Sequence, residues 1–179
     1  MGTQEADMKF EVRPAPVENI ASGSVWVTLP SELPPRSVVK ITNCDPGPDA
    51  GRHVYCEALA IGSYFVERYN LRMAEPQRLK ELRYSDESKR ALDYQGKGLI
   101  FISDYYRRHL GKAFEDFADH ELTITRADGW VNHTRACLQH PQISIRLATQ
   151  LGLLGLMLGI LGTVLGAIGV WLGALALFK

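Results

Sequence analysis

Residues 151–178 read LGLLGLMLGILGTVLGAIGVWLGALALF, which is 28 consecutive residues without a charged side chain. About 20 apolar residues suffice to cross the hydrocarbon core of a bilayer. As one helix the run would be about 42 Å long at 1.5 Å per residue. That exceeds a core of about 30 Å, so a tilted helix is expected, or one whose first turn is buried elsewhere. Splitting the run would leave only 14 residues in each half, too few for two spans. The expectation is one C-terminal transmembrane α-helix over residues 151–178, and a water-soluble monomer is excluded.

Glycine recurs along this run at Gly152, Gly155, Gly159, Gly162, Gly166, Gly169 and Gly173. The spacings alternate three and four, a heptad seam that keeps one stripe of a helix turned toward a partner. Without side chains, two helix backbones approach closely and gain packing that lipid does not supply. Each glycine also weakens an isolated helix by about 1 kcal/mol relative to alanine. The seven glycines therefore read as a helix-packing interface. A homo-oligomer is the first expectation, packing on a different membrane protein the second, and the general abundance of glycine in membrane helices the third. No carboxylate lies in the run, so the ion-carrying residue of a rotary ring is missing. Thr163 is read as bonding its own backbone.

Nineteen of the 20 basic residues and all 20 acidic residues fall in residues 1–150. That portion has no basic surplus with which to neutralise phosphates, so nucleic acid is not an expected partner. With 46% hydrophobic residues overall, disorder is disfavoured. MGTQEADMKFEV at the N-terminus carries no hydrophobic run. The expected layout is thus a single-pass, tail-anchored membrane protein with its soluble domain facing the cytoplasm. Cys44, Cys56 and Cys137 are odd in number and irregularly spaced, which fits reduced thiols better than a disulfide framework.

The expected organisation is an N-terminal arm over 1–24, a soluble β-rich domain over 25–140, a juxtamembrane linker over 141–150 and the span. Val25-Trp26-Val27-Thr28-Leu29 suits a strand, as does Val38-Val39-Lys40-Ile41-Thr42. The turn-rich Asn43 to Gly51 leads into a third strand, His53 to Ile61, which returns as a hairpin on the second. Residues 63–71 read as a short helix, and the charged stretch 75–93 as an exposed helix and loop. Gly98-Leu99-Ile100-Phe101-Ile102 is a compact apolar strand, followed by a short helix capped by Ser103 and ended by Gly111. Glu121 to Thr125 alternates like a strand, and Trp130-Val131 reads as the start of another. The fold class is α+β, a small β-rich barrel-like domain followed by one transmembrane helix.

GLIFISDYYRRHLG followed by HELTIT resembles the strand, short helix, strand unit of double-psi β-barrels. VVKITN and GRHVYCEALAI would supply the other half, so the resemblance covers residues 25–127. It implies a barrel but no single function, because that superfamily holds enzymes, substrate-recognition modules and adaptor domains. The Asp-Thr-Gly of aspartic proteases and the Gly-Ser processing site of decarboxylases have no counterpart here. No catalytic residue is carried over.

His133, Cys137 and His140 are spaced i, i+4, i+7, and on one helix face they would make soft-metal ligands, with His120 available as a fourth. Pro141 and Gly129-Trp130 argue instead for a broken or extended segment and ordinary surface histidines. Gly96-Lys97-Gly98 precedes a strand and reads as a hairpin turn, not a phosphate loop. In Tyr105-Tyr106-Arg107-Arg108-His109 one tyrosine is expected in the core and the arginines in solvent. No catalytic residue, metal or cofactor is expected. The leading functional expectation is an oligomeric membrane protein whose cytoplasmic domain binds a protein partner or small ligand. The alternatives are a pore-forming or membrane-disrupting effector triggered by clustering, and a membrane-tethered enzyme.

Overall fold

The computed structural model describes residues 7–20, 22–29, 33–87, 89–111 and 116–177. Its strands are β1 (Asp7–Pro14), β2 (Ser24–Val27), β3 (Arg36–Asn43), β4 (His53–Ala60), β5 (Leu82–Tyr84), β6 (Ala91–Tyr94), β7 (Gly98–Ile102) and β8 (Asp119–Arg126). Its helices are α1 (Val17–Ile20), α2 (Ser63–Arg72), α3 (Asp104–Leu110), α4 (Trp130–Leu138) and α5 (Ile143–Leu177). The class is mixed α+β: a closed six-stranded barrel in the order β1-β7-β2-β4-β3-β8, followed by the long apolar helix α5.

Alternation builds the barrel. Phe10 and Val12 of β1, Val25 and Val27 of β2, Val39 and Ile41 of β3, and Val54, Cys56 and Ala58 of β4 are all buried in one cluster. Ile100 and Ile102 of β7 and Leu122 and Ile124 of β8 complete it, so side chains fill the axis. Pairing is parallel for β1 with β7 and for β2 with β4, and antiparallel elsewhere in the barrel. Exchanging the first three barrel strands for the last three (β1 with β4, β2 with β7, β3 with β8) leaves every pairing and its direction unchanged. The barrel therefore consists of two topologically equivalent halves.

β7 is buried along its whole length because it is covered on both sides. Outside the wall, Leu99 and Phe101 pack with Phe65, Val66 and Tyr69 of α2 and with Leu79, Ala91 and Tyr94. The Phe65 ring stacks 4.6 Å from Trp26 and meets Phe101 edge-on at 4.9 Å. The stretch 75–93, expected as exposed helix and loop, is instead a 3-10 turn (Glu75–Gln77) and the β5–β6 hairpin. Its sparse apolar residues are used: Leu79 and Ala91 are buried, while Leu92 is exposed. Arg13, on the outer face of β1, lies beneath this insert. It donates to Glu11 Oε1 at 2.8 Å, the Gln77 carbonyl at 2.7 Å and the Tyr94 hydroxyl at 3.2 Å. A buried guanidinium is tolerable only when engaged in this way.

Several boundaries differ from the expectation. The arm does not stand apart, because residues 7–14 form β1 and close the barrel between β7 and β8. Residues 1–6 of that arm and Phe178 of the expected span lie outside the described residues. Trp130 opens helix α4, not a strand, and α5 begins at Ile143, so most of the expected linker is already helix. Arg107 is not solvated: its side chain is 13% exposed and pairs with Asp104 and Asp116. Tyr106 is the tyrosine of the Tyr105-Tyr106 pair that enters the core, and Cys56 is buried as well. The turn at Gln95-Gly96 joins β6 to β7 through Tyr94 and Lys97, with both central residues at positive φ.

Gly98 opens β7 directly opposite Phe10, where an added Cβ would come within 2.3 Å of the phenyl ring. Gly98→Ala must displace that ring from a filled core. The expected loss is about 1–3 kcal/mol, the usual range for overpacking, read from the urea midpoint of the full chain in detergent. An unchanged midpoint would show that Phe10 relocates freely.

Candidate functional site

The barrel and the long helix meet in one joint, and its parts come from five elements. Helix α4 lies along the outer face of β4, running antiparallel to it. β2 begins at Ser24 opposite Glu57, so the ladder on that side of β4 does not reach Tyr55. Gln139, at the end of α4, supplies the missing acceptor, its Oε1 taking the Tyr55 N–H at 2.6 Å. Arg135 donates to the Tyr55 hydroxyl at 3.0 Å and lies over the same ring, 5.3 Å from its centroid.

Past α4 the chain turns through His140 and Pro141 into α5. The His140 ring lies on Gly23, and a Cβ there would sit 2.1 Å from its Nε2. Gly23 is also at φ +68°, so both backbone and space require glycine. Nε2–H donates to the Ser22 carbonyl at 3.1 Å, and Nδ1 accepts the Gln142 N–H at 3.1 Å. From the other side, the Tyr106 hydroxyl of α3 donates to the Gly23 carbonyl at 3.0 Å. One turn into α5, Arg146 donates to the Tyr105 hydroxyl at 3.2 Å with its guanidinium 5.5 Å from the ring centroid. The joint is therefore a set of amide, imidazole and arginine–tyrosine contacts, all made before the uninterrupted apolar run begins at Leu151.

Two burial effects frame the joint. Desolvation pushes the Cys56 thiol and the Tyr106 phenol well above their ordinary values, so both stay neutral in their packed sites. At Glu57 partial burial pushes upward, but it is outweighed. Hydrogen bonds from Arg36 and Ser24, with the Arg36 and His133 charges, hold this carboxyl below the usual range. Arg36 grips it with two bonds, 2.5 Å and 3.2 Å, and Ser24 adds one of 3.0 Å.

The histidines and cysteine considered as ligands are dispersed. His133 and Cys137 lie on α4, but His140 falls beyond its end and is committed to Ser22 and Gln142. His120 is on β8, buried, with Nδ1 on Asp45, whose other oxygen accepts the Glu121 N–H at 2.7 Å. Among the described residues no three His, Cys, Asp or Glu side chains gather to hold a metal ion. A cavity of about 90 Å³ lies beside the 43–51 loop, against Asn43, Asp45, Asp49 and Gly111. Small-molecule sites usually run to at least about 300 Å³.

Beyond the joint, α5 continues without a break. It contains a helix long and apolar enough to cross a membrane, Ile143–Ala174, whose most apolar 18 residues are not buried against the rest of the chain. At the positions of the seven glycines an added Cβ meets nothing within 4 Å. The joint was not legible from sequence, because its partners lie far apart along the chain: 84 residues for Tyr55 and Gln139, 118 for Ser22 and His140. The available hint was the mix of Arg, Tyr and His in 105–109 with Arg135 and Arg146 following.

No family model, curated protein or solved structure matches this chain.

The Glu57 carboxyl is lower in the folded chain than in the unfolded one. Its stabilising contribution is therefore complete above about pH 4.3 and is lost as pH falls through the folded value. Glu57→Gln should lower the urea midpoint at pH 7 and give a flatter acid limb, the two proteins converging as pH falls through the lowered folded value of Glu57. Parallel acid limbs would show that the Arg36–Glu57–Ser24 cluster carries none of the pH dependence.

Proposed function

We propose that this is a single-span membrane protein whose spans associate through the glycine face of α5, holding several barrels side by side to engage a protein partner. One observation carries the reading. Gly23 and Gly98 are glycines because a neighbour of this chain occupies the space a Cβ would fill, whereas Gly152, Gly155, Gly159, Gly162, Gly166, Gly169 and Gly173 have no such neighbour. Seven glycines that each weaken a helix by about 1 kcal/mol relative to alanine, on one heptad stripe, are accounted for by a partner helix outside the chain. A second copy is the simplest partner, because each helix then offers the groove that the other needs.

We further infer that the barrel is of the double-psi type. Support comes from the two equivalent halves and from the strand, short helix, strand unit of β7, α3 and β8. Its filled axis favours recognition on the outer wall over binding of a small ligand inside. Cytoplasmic placement of the barrel is supported by Cys44, Cys56 and Cys137, all free thiols as a reducing compartment keeps them.

Native mass spectrometry of the detergent-extracted full chain tests the central claim. A defined oligomer is expected, with conversion to monomer in the triple variant Gly159→Leu, Gly162→Leu, Gly166→Leu. A wild-type monomer, or an oligomer that survives the three leucines, overturns it.

A further inference from the structure

We propose that His140 is a proton-operated latch between the barrel and α5: the neutral ring holds the joint shut, and the protonated ring opens it. This goes beyond the assembly reading and holds however the glycine faces pair.

Two hydrogen bonds fix the tautomer of the His140 ring. The Ser22 carbonyl can only accept, so Nε2 carries a hydrogen. The Gln142 backbone N–H can only donate, so Nδ1 presents a lone pair. Both bonds are satisfied by one species, the neutral Nε2–H tautomer. A second proton would go to Nδ1, where it would face the Gln142 N–H. The bond would be lost and two donors would oppose each other.

The ring is partly exposed, and among the described residues no carboxylate pairs with its charged form. Gln142 immediately precedes the first turn of a 35-residue helix, whose unpaired N–H groups carry partial positive charge. Two carbonyls at the end of α4 take backbone N–H groups, that of Arg135 from Gln139 and that of Cys137 from His140. From the segment before β2 the ring faces Ser22 and Gly23, neither of which titrates. From α3 comes the Tyr106 phenol, held neutral by burial and bonded to the Gly23 carbonyl. From α4 come the Cys137 thiol and Arg135, the latter on Tyr55. From β4 come Tyr55 and Glu57, whose carboxylate is engaged by Arg36 and Ser24. From α5 comes Arg146, on Tyr105. Among the described residues the acid paired with a histidine is Asp45, on His120, and none pairs with His140.

Imidazole is the side chain whose ordinary charge change falls between about pH 5 and 8, which sets the range over which the latch is tested. Opening would release 140–142 from Ser22 and Gly23 and leave Arg146 on Tyr105. The barrel would remain tethered but would lose its fixed angle to the helix.

Hydrogen–deuterium exchange on the full chain in detergent micelles, corrected for intrinsic pH dependence, tests this. Between pH 7.5 and 5.0, protection of segments 22–25 and 139–146 should fall by about tenfold while β3 and β8 stay unchanged. His140→Gln supplies an acceptor and a donor that do not titrate, so it should keep the segments protected at both pH values. Gly23→Ala should expel the ring and leave them exposed at both. A flat wild-type profile, or a His140→Gln protein that retains the wild-type step, overturns the proposal. If His140→Gln does not fold, ¹⁵N-histidine NMR of the wild type decides. An Nε2–H tautomer at pH 7.5 that becomes imidazolium in step with the exchange supports the latch. A ring already charged at pH 7.5, or in the Nδ1–H form, overturns it.

Discussion

Closure of the barrel governs everything else in this molecule. A closed sheet has no edge strand to offer a partner, and here the axis is filled by Phe10, Val12, Ile41, Ile100 and their neighbours. Every relation between the barrel and its surroundings must therefore cross its outer wall. Three parts of the wall are used. The outer face of β7 and β2 carries the second apolar cluster under α2 and the β5–β6 hairpin. The outer face of β4 carries α4. The end of the barrel where β2 begins and β7 ends carries the joint with α5.

The wall contacts differ in kind, and the difference follows from what each must do. Under the β5–β6 insert the contact is aromatic and aliphatic, closed by a buried, fully engaged Arg13. Burial on that scale makes the insert part of the fold. At the joint, the contacts are hydrogen bonds and cation–π pairs on Gly23, Tyr55 and Tyr105, each worth on the order of 1 kcal/mol. Bonds of that size hold an orientation without making it permanent.

How much of this was legible depended on whether the signal was local. The span announced itself through the absence of charge, and β7 through an unbroken apolar run that only a strand covered on both faces needs. β1 was missed because Lys9, Glu11 and Arg13 make DMKFEVRP look polar. Its period-two pattern, Met8-Phe10-Val12, was present but short, and Arg13 owes its burial to an insert 64 residues away. α4 was misread because Gly129 and Pro141 look like breakers. They mark the outside of a helix: Gly129 is its N-cap at φ 93°, and Pro141 follows its last turn. The joint had only a compositional hint in 105–109, Arg135 and Arg146, since the partners of Gln139, His140 and Arg146 are brought to them by the closed topology.

Continuity of α5 gives the joint its consequence. Arg146, which grips the barrel from α5, and the glycines that face outward belong to one helix, Arg146 lying six positions before Gly152. A helix that does not break between them fixes the azimuth of the barrel relative to the glycine stripe. If two spans pack along their stripes, the barrels inherit the symmetry of that packing only while the joint is closed. Once the joint is free, the spans stay paired but the barrels no longer present a common surface. Affinity for any partner that touches two barrels at once would then drop toward that of a single barrel, because the second contact loses its effective concentration. On the proposed pairing of spans, small bonds at Gly23 would control a multivalent interaction without touching the helix packing that creates it.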